Sequence, residues 1–257
     1  MQRRDFLKNS IYVIAGASIP LSALEFIDPR EVLAKNPSIH WAFLMDTHKC
    51  VGCGFCVKAC KIENDVPLQA NVSRTWVERY VFTKDDRRYI DSPKAALDGF
   101  TDSRIDLGKG EFQEIDPENV GKAFFVPKLC NHCVAPSCTQ VCPVGATYKT
   151  DDGVVLVDRK WCIGCGYCIM ACPYAARFFH PVVKVVDKCT FCYHRITKGL
   201  ETACVNACPF GARKMCNIRD INDPVTKIIL NDRVGVLKDE FGTKPQAFYI
   251  GLASEVR

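Results

Sequence analysis

Four cysteine runs of one pattern constrain this chain more than any other feature. Cys162, Cys165, Cys168 and Cys172 read C-x2-C-x2-C-x3-C, followed by Pro173. Cys50, Cys53, Cys56 and Cys60 repeat that spacing. Cys130, Cys133, Cys138 and Cys142 widen the middle gap to four residues, and Cys189, Cys192, Cys204 and Cys208 widen it to eleven. All four runs open with C-x2-C and close with x3-C. Three continue into proline, at Pro143, Pro173 and Pro209, whereas Lys61 follows Cys60. Sixteen of the 17 cysteines belong to these runs, which leaves Cys216. Three thiolates so close in sequence can grip one face of an iron–sulfur cube, and in this pattern the fourth cysteine reaches a neighbouring cube. One run therefore implies a partner run. The crossing does not by itself say which runs are partners, because the gaps of 19 and 16 residues that separate the last three runs each suit a local pair.

Other uses of the thiols fit the pattern less well. Structural zinc also uses C-x2-C pairs, but it combines two separated pairs, often with histidine. Here the thiols come in compact fours, and none of the five histidines has zinc-finger spacing. A disulfide framework belongs mostly to small domains with poor cores, and it gives no reason for four copies of one spacing. A decayed array or a three-iron cluster would show a substituted ligand position, and no position is substituted. The expectation is four [4Fe-4S] clusters, each held by four thiolates. The formal net charge is +5, from 34 Lys and Arg against 29 Asp and Glu. An oxidised cube with four thiolates carries about −2, so four contribute roughly −8. The cation excess thus offsets cluster charge and gives no sign of a nucleic-acid partner.

Residues 1–34 read as an address. Gln2-Arg3-Arg4-Asp5-Phe6-Leu7-Lys8 is close to the twin-arginine export signal. Ile11 to Leu24 is an uncharged run of 14 residues, too short to span a bilayer comfortably. Val32-Leu33-Ala34 offers a small-residue cleavage site. A periplasmic location follows, reached after the clusters are in place, since free thiols in an oxidising compartment tend toward disulfides.

Ile39–Met45, Ala123–Val126, Val154–Val157 and Val182–Val186 are apolar and β-prone, and each leads through a short charged or Pro-containing turn into a C-x2-C. The recurring unit is a short strand, a turn, a cysteine loop and a helix start. Thr150-Asp-Asp-Gly153 marks a hairpin turn ahead of Val154. Thr75–Phe82 reads as a strand that pairs with Arg88–Ile90. The remainder of 61–129 reads as surface loop, a tolerated insertion in preference to a partner-binding arm. The tail after Cys216 is mixed and polar, and its longest uncharged run, Pro245 to Ser254, cannot cross a membrane. The fold class is α+β, with short hairpins and helices wrapped round clusters in the manner of ferredoxins.

Cys130-Asn-His-Cys133, Cys142-Pro-Val-Gly-Ala146, Cys172-Pro-Tyr-Ala-Ala-Arg177 and Lys188-Cys-Thr-Phe-Cys192, with Arg195, Gly199, Cys204 and Cys208-Pro209, carry a family resemblance. Over about 40–65 and 120–216 the chain resembles the four-cluster iron–sulfur subunits of respiratory molybdopterin oxidoreductases, such as the dimethyl sulfoxide, polysulfide and tetrathionate reductases, and the nitrite-reduction ferredoxin of that type. The resemblance implies two interleaved bacterial-ferredoxin-like domains: an outer one from 35–62 and 178–216, and an inner one from 120–177. Residues 63–119 are then an insertion and 217–257 a C-terminal tail. It also implies the ligand sets. One cluster takes Cys50, Cys53, Cys56 and Cys208, and its neighbour Cys189, Cys192, Cys204 and Cys60. The inner pair takes Cys130, Cys133, Cys138 with Cys172, and Cys162, Cys165, Cys168 with Cys142.

Electron transfer is the function these features favour, in a subunit without catalytic residues of its own. The resemblance implies a molybdopterin catalytic subunit at one end. The C-terminal membrane helix of the formate dehydrogenase relatives has no counterpart here, which implies a separate multi-span quinone-reactive membrane subunit at the other. A multihaem cytochrome or hydrogenase partner is the alternative within electron transfer, and a metal-stabilised binding module without redox work is the alternative outside it. His132 is placed either to hydrogen-bond a cluster sulfur or to pack, and His48 and His194 are weaker cases of the same kind. Trp161 and Tyr167 flank ligands and are expected to pack around a cluster rather than relay electrons. Cys216 is expected to be a buried thiol.

Overall fold

The computed structural model describes residues 39–256, so the export signal and its cleavage site lie outside the described residues. In chain order the strands are β1 (Trp41–Asp46), β2 (Thr75–Thr83), β3 (Arg88–Asp91), β4 (Ile105–Gly108), β5 (Glu111–Gln113), β6 (Val120–Leu129), β7 (Thr147–Lys149), β8 (Val155–Val157), β9 (Arg177–Phe179), β10 (Val186–Lys188), β11 (Arg213–Asn217), β12 (Val234–Gly235) and β13 (Ala247–Ile250). The helices are α1 (Phe55–Glu63), α2 (Ser137–Gln140), α3 (Tyr167–Met170), α4 (Tyr193–Ile196), α5 (Ala203–Asn206) and α6 (Pro224–Asn231). Small sheets and single helical turns are what short strand–loop–helix units build, and the α+β class holds.

Alternation along β1 decides how the core divides, because successive side chains of a strand face opposite ways. Phe43 and Met45 enter the main core with Val57, Val77, Tyr80, Val126, Leu129, Phe191 and Tyr249. Ala42 and Leu44 enter a smaller cluster with Cys216 and Ile229 of α6. In the sheet of order β11-β1-β13-β12, β11 runs antiparallel to β1 with Met215 opposite Phe43, and β13 runs parallel with Phe248 opposite Leu44. A second sheet, β3-β2-β6, pairs Thr75–Phe82 with Lys122–Leu129 antiparallel, and a register shift follows at Thr83. Hairpins β4–β5, β7–β8 and β9–β10 complete the strand pairings among the described residues.

Three sequence expectations need correction. The tail is part of the central sheet: Ala247 and Tyr249 are fully buried, and the Gln246 N–H donates to Asn131 O at 2.8 Å. Its two-residue apolar alternation was hidden by a polar average. The long gap is more than surface loop. Ala96 and Ile105 are buried, and Arg79 ties the region together. The Arg79 guanidinium grips Asp91 with bonds of 2.9 and 2.7 Å and donates to the carbonyls of Asp102 and Arg104 at 2.8 and 2.6 Å. A buried carboxylate–guanidinium fork and its carbonyl partners thus stand in for an apolar core. Finally, the strand expected over Val182–Val186 starts only at Val186. Val182 and Val183 are exposed in the β9–β10 turn, where both their N–H groups donate to His180 Nδ1 at 3.3 Å.

Candidate iron–sulfur sites

Each C-x2-C loop turns on one backbone device. The second spacer residue has positive φ in all four: Gly52 at +70°, His132 at +41°, Gly164 at +70° and Phe191 at +51°. The left-handed region costs a residue with a Cβ about 1–2 kcal/mol, so glycine suits the first and third loops. A Cβ on Gly52 would also meet the Phe125 ring at 2.7 Å. In the second and fourth loops the residues are large, and their rings stack on each other with centroids 3.7 Å apart, both buried. That buried stack offsets the backbone cost. A further left-handed glycine, Gly54 or Gly166, each at +77°, precedes α1 and α3 and lets the loop enter its helix.

Helix α1 shows why the fourth cysteine of a run reaches a different site. Cys56 and Cys60 are four residues apart on one helical face, so they stand one turn apart along the axis. Cys56 lines a cavity together with Cys50, Cys53 and Cys208, and with Val77 and Arg213. Cys60 lines another, with Cys189, Cys192 and Cys204, and with Phe43, Asn64, Arg74 and Phe191. The first run is thus brought together with the fourth, across some 150 residues of chain. Among the described residues no three His, Cys, Asp or Glu side chains stand close enough to share a single ion. The thiols of the two cavities surround a space instead.

In the inner region, Cys172 lies within electrostatic reach of Cys130, Cys133 and Cys138. Around it α2, which carries Cys138, packs on α3, which carries Cys168, and Ser137 Oγ donates to Ala171 O at 2.7 Å. Burial pushes the Cys50 thiol up to about 11 and those of Cys133 and Cys189 up to about 12. Protein surroundings alone therefore hold these groups as thiols, and iron coordination is what deprotonates such a sulfur. At Cys142 burial also acts upward, but the N–H groups of Thr147, Val144 and Ala146 bring it below the ordinary range.

Polar groups around the sulfurs are supplied by residues the spacing did not single out. Asn64 Nδ2 points to Cys60 Sγ at 3.6 Å and to Cys192 Sγ at 3.9 Å. Asn64 is itself held by Arg74 Nη1 at 2.7 Å, and Arg74 pairs with buried Asp187 at 2.9 Å. The Phe191 N–H donates to Cys189 Sγ at 3.4 Å. Arg177 Nη2 donates to Cys138 Sγ at 2.9 Å. Lys188, fully buried, donates from Nζ to the carbonyls of Cys189 and Val155. One signal was available for the arginines: Arg177 and Arg213 each stand five residues after a cysteine that precedes proline.

The histidines and aromatics near the runs take several positions. His132 takes the packing role among its two expected ones: its Nδ1 accepts the Val155 N–H at 3.0 Å, its ring stacks on Phe191, its Nε2 is buried without a partner, and burial holds the ring neutral. His194 binds Glu63 at 2.7 Å on the surface, and His48 lies over Gly251. Trp161 and Tyr167 are exposed, at 67% and 53%. Cys216 is buried in the smaller cluster as expected, with its thiol pushed up by burial to about 11.

Cysteine-lined cavities inside an α+β frame of hairpins and short helices define a ferredoxin-like iron–sulfur protein, of the class that transfers electrons. Two family descriptions match, both "4Fe-4S dicluster domain", over residues 121–218 and 49–146. A tetrathionate reductase subunit from Salmonella typhimurium is 38% identical over 97% of this chain and 88% of its own length. Its namesake from Archaeoglobus fulgidus is 41% identical over 82% of each chain. An iron-sulfur subunit of the Hdr-like menaquinol oxidoreductase from Archaeoglobus fulgidus is 34% identical over 99% of this chain and all of its own. The chain belongs to the family of 4Fe-4S iron–sulfur subunits of respiratory oxidoreductases.

Proposed function

We propose that this chain is a wire of four [4Fe-4S] clusters in a periplasmic respiratory complex, running between a quinone-reactive membrane subunit and a molybdopterin catalytic subunit. The ligand sets are Cys50, Cys53, Cys56, Cys208; Cys60, Cys189, Cys192, Cys204; Cys130, Cys133, Cys138, Cys172; and Cys142, Cys162, Cys165, Cys168. The observation that carries the reading is the pair of cavities lined by four thiols each, from runs far apart in sequence. They also favour an outer ferredoxin unit enclosing an inner one. When bound, a [4Fe-4S] cluster takes up and releases one electron, at a potential set by charge, hydrogen bonds and exposure.

The protein's part is to seat the sites in sequence and control their surroundings. Cys56 and Cys204 lie within reach of each other and link the two outer sites. Cys189 and Cys130 do the same between the outer and inner units, beside Lys188. Arg177 lies between Cys138 and Cys168, and so between the two inner sites. The order is linear. Its middle is deeply buried, with Cys60, Cys189, Cys192 and Cys204 closed from water, and Cys165 at one end is exposed. Exclusion of water in the middle and access at the ends suit a conductor loaded from outside. The names of the relatives support tetrathionate-type and menaquinol-linked partners, and the Arg3-Arg4 segment supports export.

Iron and acid-labile sulfide in the anaerobically purified full chain test the cluster count. About sixteen irons per chain, with paramagnetic signals after dithionite, are expected. A colourless protein, or one holding zinc, overturns the proposal. Capture of the tagged chain from membranes, with identification of what comes with it, tests the partners.

A further inference from the structure

Among the described residues Arg213 has no carboxylate counter-ion. It leaves β11 into the core opposite Met45 of β1, and it is 2% exposed. Neither Nη1 nor Nη2 has a hydrogen-bond partner. The ionisable groups that face it are Cys56, Cys204, Cys50 and the Tyr249 hydroxyl, itself buried and unpartnered. Glu78, which approaches Tyr249, is engaged by Lys128 at 2.7 Å, Trp76 at 2.8 Å and Tyr80 at 2.7 Å. A guanidinium stays protonated in proteins, and a buried charge without a partner is strongly unfavourable. Among the described residues, the anions left to face it are the sulfurs of the outer sites, from both sides: Cys50 and Cys56 from the first, Cys204 from the second.

The inner unit repeats the arrangement. Arg177 occupies the matching position in Cys172-Pro-Tyr-Ala-Ala-Arg177, as Arg213 does in Cys208-Pro-Phe-Gly-Ala-Arg213. It too is buried, and it faces Cys138, Cys130 and Cys172 of one site and Cys168 of the next. We propose that Arg213 is the fixed charge that sets the potentials of the two outer clusters together, and that Arg177 does so for the inner two. One electron entering a cluster takes its core from 2+ to 1+, with no bond made or broken. The added negative charge lies against a cation that water cannot screen. The reduced form is stabilised at both neighbours of the arginine, and repulsion between two reduced neighbours is lessened. Where each unit would otherwise resist a second electron, it is able to carry one on either cluster.

This rests on the ligand sets proposed above, and the wild-type chain tests those first: far fewer than about sixteen irons there overturns the assignment before any variant is compared. Redox titration of the anaerobically purified full chain, followed by paramagnetic resonance, then tests the charge. Arg213→Met is expected to keep its iron and to lower two of the cluster midpoints by at least about 59 mV, a tenfold change in the oxidised-to-reduced ratio at fixed potential. Arg213→Lys, which keeps the charge, restores more than half of that shift. Arg177→Met lowers the other two midpoints. Full iron with unmoved potentials in Arg213→Met overturns the proposal. If Arg213→Met loses iron, Arg213→Lys decides: loading with near-wild-type midpoints supports the fixed charge, and loss of iron there as well overturns it.

Discussion

At the residue scale, the cysteines fall into two kinds that sequence spacing had already separated. Cys216 stands apart from the runs and is buried with Ala42, Leu44 and Ile229. Its thiol is pushed up to about 11, so at pH 8 almost none is thiolate, and thiolate is the reactive form. Alkylation of the cluster-loaded chain, read by peptide mass, is expected to leave Cys216 unmodified at pH 8. Its rate should rise about tenfold per pH unit toward pH 11. Fast labelling at pH 8 would contradict this burial. Cys216→Ser should leave iron content unchanged, whereas Cys165→Ser should remove or convert a cluster. The histidines were less legible. Position alone left His132 between bonding a sulfur and packing, and the conformation of its loop and the Phe191 ring from another run give it a packing role. No reading of the second run by itself contains Phe191.

At the element scale, the cysteine loops and helix starts were legible because they repeat a local device. Glycines after the first and second cysteines of the first and third runs meet a steric need that recurs with the same φ. Gly54 carries the strongest demand. A Cβ there would lie 2.1 Å from Ala96 O, a backbone atom with no freedom to move aside. Gly54→Ala is expected to add about 1–2 kcal/mol of left-handed strain to that clash, and to lower iron content while other sites stay loaded. Iron analysis with paramagnetic resonance reads the loss, and full loading would show that the loop near Ala96 yields. The same contact explains why residues 93–99 are no free insertion: they close over the first cysteine loop. Strands β2 and β6 were recognised from β-branched and aromatic residues, but the place of β2 beside the cavities, through Val77, Thr75 and the preceding Arg74, is a tertiary fact.

At the scale of the whole molecule, apolar side chains collect where the proposed wire reaches the surface. Trp161, Ile163, Tyr167 and Met170 stand exposed around the third run, Met170 at 77%. Val51, Phe55 and Phe210 stand exposed around the site of Cys50, Cys53, Cys56 and Cys208. Exposed apolar groups gathered in this way mark docking surfaces. Met170→Asp is expected to weaken assembly with one partner subunit while leaving iron content intact, read by co-purification from membranes. Retained assembly would remove that face from the interface. No helix among the described residues is long and apolar enough to cross a membrane. The amino-acid sequence alone determined the cofactor class, the sulfur inventory and the local loop geometry, because a metal cluster is recognised by residues a few positions apart. Only the tertiary structure decided which runs share a cavity, which cations are buried without a counter-ion, and that the tail and the long gap belong to the core. Those depend on burial, and burial is set by what the rest of the chain folds against each residue.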